Sequence, residues 1–167
     1  MNDAIGASRL LSAENLTFIQ QGISITAASR DVRLVPSLSR VLSCRVDADG
    51  QRLRLALVRS QGLILLRDIA ATGAIAAVFS QPSTHRSLQI KGLDACEVAV
   101  DAADQDSVRD SQQAFAAEIA LLGFDAAFST RFYHVAPDDL AVVTFTPAQV
   151  FQQTPGPNAG APLGVSA

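Results

Sequence analysis

The residues best suited to chemistry sit between two apolar runs. Residues 79–92 read FSQPSTHRSLQIKG, where a strand-like AIAAVF breaks into a polar tip and resumes as LQIKG with Lys91, the only lysine. The tip gathers Ser83, Thr84, His85, Arg86 and Ser87. Hydroxyls beside a guanidinium suit an anion, and a histidine can pass a proton near neutral pH. The same residues also make an ordinary solvated turn, since Pro, Ser and Thr favour one. His85 is therefore a proton donor, a ligand contact or a turn residue.

The charge distribution is uneven. Residues 30–92 hold nine arginines and Lys91 against Asp31, Asp47, Asp49 and Asp68, or 10 − 4 = +6. The remainder carries 3 − 12 = −9, which restores the net −3. Each half either solvates itself or, in the basic half, faces a phosphate, whose oxygens match arginine forks. Arg40 lies in an alternating strand and is either solvent-facing or a ligand contact. Arg59 and Ser60 close a strand and open a helix, where free N–H groups cap or bind anions.

Other chemistries lack the residues they need. His85 and His134 are the only histidines and neither has a Cys or acid at ligand spacing, so no metal site is expected. Asp138 and Asp139 follow Pro137 and read as the start of a strand rather than a catalytic pair. No Ser–His–Asp or Cys–His spacing and no phosphate loop is present. An acidic total, no tryptophan and one tyrosine (Tyr133) argue against nucleic acid. No apolar run reaches the ~20 residues of a membrane span, and MNDAIGASRLLSAEN lacks a secretory pattern, so a cytoplasmic protein is expected. Cys44 and Cys96 lie in apolar stretches and read as core thiols. Hydrophobic residues make up 49% of the chain and charged ones 17%, so apolar surface is expected to bury against a partner chain.

Elements of alternating period must position these residues. A helix is expected over 13–21, capped by Ser12, then a strand over 23–29 and a long one over 34–47. ADGQ turns the chain into RLRLALV (52–58). Residues 60–73 shift to helical period, with Ser60 as cap, Leu63, Leu66 and Ile69 on one face, and Gly73 at the end. Strands follow over 74–80 and 85–100, then an acidic helix over 105–122 capped by Asp104 or Asp106. The strand 139–146 and a short helical turn in TPAQVFQ complete the order. Hairpin-joined strands imply an antiparallel sheet, best closed into a barrel that hides its edges. One α+β domain over 1–153 and a Gly/Pro-rich tail over 154–167 are expected.

In order and texture, ITAASRDVRLVPSLSRVLSCRVDADG and IAAVFSQPSTHRSLQIKG resemble the pyridoxamine-5′-phosphate oxidase-related, FMN-binding split-barrel family. The likeness covers residues 15–100. It implies an antiparallel Greek-key split barrel with flanking helices, and a homodimer holding FMN between subunits. SRVLS then places Arg40, Val41, Leu42 and Ser43 along the flavin. VRSQ places Arg59, Ser60 and Gln61 at the phosphate. STHRS, with Ser83, Thr84, His85, Arg86 and Ser87, faces the ring.

Two departures narrow what the resemblance implies. The arginine and lysine that FMN-holding members often carry in the first turn of the helix fall on Ile64 and Leu65, with Arg67 one turn later. The oxidase's C-terminal signature, with its tryptophan and paired arginines, is absent. Oxidation of pyridoxamine phosphate is not expected. Three readings remain: a flavin-dependent oxidoreductase acting on an unidentified small molecule, a non-enzymatic ligand-binding or regulatory dimer without the flavin, and a protein that takes a different anion in its basic groove.

Overall fold

The computed structural model describes residues 10–163, so the expectations for the first nine and last four residues, including the N-terminal part of the signal reading, lie outside it. The described residues form an α+β fold of two antiparallel sheets and four α-helices. The first sheet runs β2 (Pro36–Val41), β1 (Ser24–Arg30), β5 (Ile75–Ser80), β6 (Ser87–Gly92) and β9 (Gln149–Gln152). The second runs β3 (Ser43–Val46), β4 (Leu53–Val58), β8 (Leu140–Phe145) and β7 (Cys96–Val98). The expected closed barrel is thus found as two sheets among the described strands.

Two expected long strands are broken where the chain changes sheets. The run 34–47 divides at Leu42, whose N–H reaches the carbonyl of Ala56 on the second sheet. This bend lets consecutive residues point into different cores: Val41 into the layer between the sheets, Leu42 into a second cluster. The run 85–100 divides after Gly92, where Asp94 turns away to accept the Thr146 N–H and hydroxyl, both at 2.8 Å. That break carries Cys96 to an exposed position on an edge strand, so only Cys44 is a core thiol. Burial pushes the Cys44 thiol up.

Helix α1 (Ala13–Ile19) is capped by Ser12 as its spacing predicts. Helix α2 (Arg59–Thr72) starts one residue before Ser60, which sits inside the first turn instead of capping it. Its buried stripe is Gly62, Leu65, Leu66 and Ile69, and Leu63 faces solvent. Leu66 and Ile69 thus lie on the buried face as expected, while Gly62 and Leu65 take the place of Leu63, with Gly62 admitting close approach to Leu57 and Ser39. Gly73 ends α2 in the left-handed region, φ 66°.

Helix α3 (Ala102–Ala120) starts three residues earlier than its acidic pattern suggests. Its cap is Asp101, in a capping box with Asp104. Helix α4 (Ala126–Phe132) is an addition to the expected elements, capped by Asp125. TPAQVFQ forms β9 rather than a helical turn, because Val150 and Phe151 fill the free edge of β6. The Gly/Pro-rich tail then folds back on β9: Gly160 N–H reaches Gln152 O at 2.7 Å and Leu163 N–H reaches Val150 O at 2.8 Å. An otherwise open edge is thereby covered.

Apolar side chains fill two clusters. The larger lies between the sheets and contains Phe18, Ile25, Leu55, Ile69, Phe79 and Phe145. The smaller lies between the second sheet and the α3–α4 pair, and joins Leu42, Val58 and Val142 to Val108, Phe115, Ile119 and Tyr133. No helix of the described residues is long and apolar enough to cross a membrane.

Candidate functional site

The stretch SRVLS lies where β2 passes into β3. Val41, Leu42 and Ser43 are buried. Leu42 lies in the cluster beneath α3 and α4, so the surface beyond the bend is filled by the chain's own helices. Arg40 points outward from β2 but is half-buried against α4. Its guanidinium carbon stands 3.4 Å from the centroid of the Phe132 ring, and its Nη2 donates to the Phe132 carbonyl. Its Nε is buried without a partner among the described residues. Burial lowers the Arg40 pKa, an effect partly offset by nearby Tyr133, whose hydroxyl burial pushes up to about 12. Arg40 is thus engaged by a helix absent from the sequence expectations.

VRSQ is engaged as well. Arg59 is ion-paired with Glu97, whose hydrogen bond raises its pKa. The carboxylate of Asp139 takes the Ser60 backbone N–H at 2.8 Å and its hydroxyl at 2.6 Å. An anion therefore does occupy the start of α2, and it belongs to the protein. Its hydrogen bonds from Ser60 hold the Asp139 carboxyl below the usual range. Gln61 is exposed, as is Ile64, and Leu65 is buried. Arg67 pairs with the buried Asp68 beside it.

The polar tip is a tightly hydrogen-bonded turn. His85 adopts φ 62°, a left-handed conformation, and its N–H reaches Gln81 O at 2.9 Å. Its imidazole is exposed. Ser83 N–H and the Gln81 amide donate to Glu118 on α3 at 2.8 and 3.2 Å. Burial raises the Glu118 pKa, but the bonds from Ser83 and Gln81 outweigh it and the net shift is downward. Thr84 Oγ1 donates to Gln81 Oε1 at 2.9 Å. Arg86 stacks on Phe18 at 4.3 Å, pairs with Glu14 at 2.9 Å and donates to Asn15 at 3.0 Å. Ser87 bonds Ser80 at 2.8 Å across the hairpin.

The fold therefore brings SRVLS and VRSQ to one cluster, where Leu42 and Val58 meet. It leaves the tip apart. β1 and β5 lie between Arg40 on β2 and Ser87 on β6, a span of roughly 14 Å at ordinary strand spacing. As a seat for FMN these residues do not fit. The position that the resemblance implies for the phosphate is taken by Asp139, Arg40 is stacked on Phe132, and each arginine of the three stretches has an internal partner. Asp139 was legible only as the start of a strand, since its pairing with Ser60 spans 79 residues.

No protein-family model matches the chain, and neither does any curated protein. Solved structures do match. HupZ from Group A Streptococcus superposes with a TM-score of 0.52 at 17% identity, over 90% of this chain and 99% of that one. An F420 reductase gives 0.50 at 16% identity, over 80% and 93%. A candidate pyridoxamine 5′-phosphate oxidase from Lactobacillus delbrueckii gives 0.50 at 15%, over 84% and 93%. At these identities the likeness is one of fold, and the expected resemblance holds at that level: the chain has the fold of the pyridoxamine 5′-phosphate oxidase-related split-barrel proteins.

Proposed function

We propose that this chain is a homodimeric split-barrel protein that binds a small molecule and has given up the flavin seat. It acts as a binding or regulatory protein rather than an oxidoreductase. One observation carries this reading: the cofactor positions implied for Arg40, Arg59 and Ser60 are filled by Phe132, Glu97 and Asp139 of the same chain. Displacing all three to admit a phosphate and a ring would break a stacked cation, an ion pair and a helix cap together. The dimer is supported by the outer face of the first sheet and its β1–β2 turn, which expose Val32, Leu34, Val35 and Leu38.

The second reading is an FMN-dependent oxidoreductase acting on an unidentified small molecule. It is favoured by the fold shared with a candidate pyridoxamine 5′-phosphate oxidase and an F420 reductase. Under it the flavin supplies the redox chemistry, and the chain binds and orients. The visible absorption spectrum of the purified protein separates the two. The first reading expects no flavin bands, and bands that survive desalting overturn it.

A further inference from the structure

We propose that the groove between β3 and α3 binds a small primary alkylammonium ion. The groove encloses about 270 Å3 and is walled by Cys44 and Arg45 of β3, the first turns of α3, and Gln20 at the end of α1. None of its residues lies on the first sheet or on the β1–β2 turn. The proposal stands with or without the flavin and the dimer.

The polar floor follows from a serine at an apolar position. Buried residues of α3 recur as Asp104, Val108, Ser111, Phe115 and Ile119, the stripe that faces the second sheet. Asp104 is engaged by Arg45 and Arg54. Ser111 is 5% exposed, lines the groove, and makes no side-chain hydrogen bond among the described residues. A buried hydroxyl without a partner is costly, and a ligand in the groove would satisfy it. Ser107, one turn earlier, lines the groove with a second hydroxyl that has no partner among the described residues. Cys44 is buried beside them, and burial pushes its thiol up, so the thiol stays neutral.

The sign of the ligand follows from the acids at the mouth. Asp106 and Asp110 stand one turn apart on α3, and like charges at that spacing repel. Asp106 pairs with Arg109, whereas Asp110 has no cationic partner among the described residues. Arg45 also lines the groove, but its Nε donates to Asp104 at 2.7 Å and its Nη2 to Asp101, so its charge is compensated within the fold. What remains is one uncompensated carboxylate beside two free hydroxyls. A primary ammonium presents three N–H donors to such acceptors. A hard divalent cation takes about six oxygens, and no three His, Cys, Asp or Glu among the described residues gather as a metal site. The rest of the groove takes a short alkyl chain along Ala103 and Cys44.

The test titrates the full-length protein with butylammonium chloride and follows amide NMR shifts. Butanol, tetramethylammonium and magnesium chloride serve as comparison probes. Saturable shifts are expected at Cys44, Ser107 and Ser111 with butylammonium. Weaker binding is expected for a chain without charge, a cation without N–H donors, and a metal. Asp110→Asn should weaken butylammonium binding about tenfold, as loss of a charged acceptor does. Ser111→Ala should also weaken it while both acids remain, which separates a built site from an acidic surface. Asp110 is exposed, so its variant should melt as wild type does and decides the matter even if Ser111→Ala folds poorly. Magnesium or tetramethylammonium binding as tightly as butylammonium, shifts centred elsewhere, or affinity unmoved in either folded variant overturns the proposal.

Discussion

The carboxylate of Asp139 sits on the first turn of α2, taking both the N–H and the hydroxyl of Ser60, 79 residues away. It closes a helix start that the chain would otherwise leave open, because the preceding Val58 offers no capping side chain. Asp139→Ala is expected to lower the melting temperature more than Asp139→Asn, which retains an oxygen acceptor for the N–H. The sign with pH follows from the depressed pKa: the contribution is present above the ordinary carboxylate pKa and is lost as pH falls through the folded value. Melting curves of both variants against wild type at neutral and acid pH check this.

A second acid-sensitive point joins α3 to the second sheet. Asp104, 2% exposed, takes Arg45 at 2.7 Å and Arg54 at 2.5 Å. Burial alone would raise its pKa, but the bonds from Arg54, the Asp101 backbone and Arg45 hold it at about 2. Against an unfolded value of about 3.9, that shift is about 2 kcal/mol of stability, complete above pH ~4 and lost as pH falls toward 2. Asp104→Asn should therefore flatten the acid limb of the stability profile, measured by urea unfolding between neutral pH and the acid limb. An unchanged limb would show that Asp104 is not the titrating group.

Gly22 tests how closely α3 is seated. A side-chain carbon there would collide with the backbone of Ala114 and Phe115. Because the obstacle is backbone, α3 must shift, and Gly22→Ala is expected to cost about 1–3 kcal/mol in chemical denaturation. A loss below the measurement error would mean that α3 rides looser on the sheet.

Leu38, 71% exposed on the edge strand β2, tests the proposed dimer. Leu38→Glu should shift wild-type dimer to monomer in sedimentation velocity, since a charge is costly in an apolar contact. Wild-type protein that sediments as a monomer contradicts the dimer directly.

The parts legible in the sequence were those set by local period and local caps. Alternation in RLRLALV and AIAAVFS, the Ser12 cap and the Gly73 stop all rest on residues a few positions apart. The strand breaks at Leu42 and after Gly92 were not legible, because an apolar run reads the same whether it stays in one sheet or crosses to another. The short α4 has too little periodicity to stand out, and its position over Arg40 depends on packing 92 residues distant. The three polar stretches were identifiable as polar, but their engagement was not. Asp139, Glu97, Glu118 and Glu14 reach them only through the fold.

Equilibrium dialysis of the purified full-length protein against micromolar FMN tests the central claim most directly. With Phe132 on Arg40, Glu97 on Arg59 and Asp139 on Ser60, no stoichiometric retention of FMN is expected, and Arg40→Ala and Ser60→Ala should leave the trace unchanged. One FMN retained per chain, and weakened by either substitution, would contradict it.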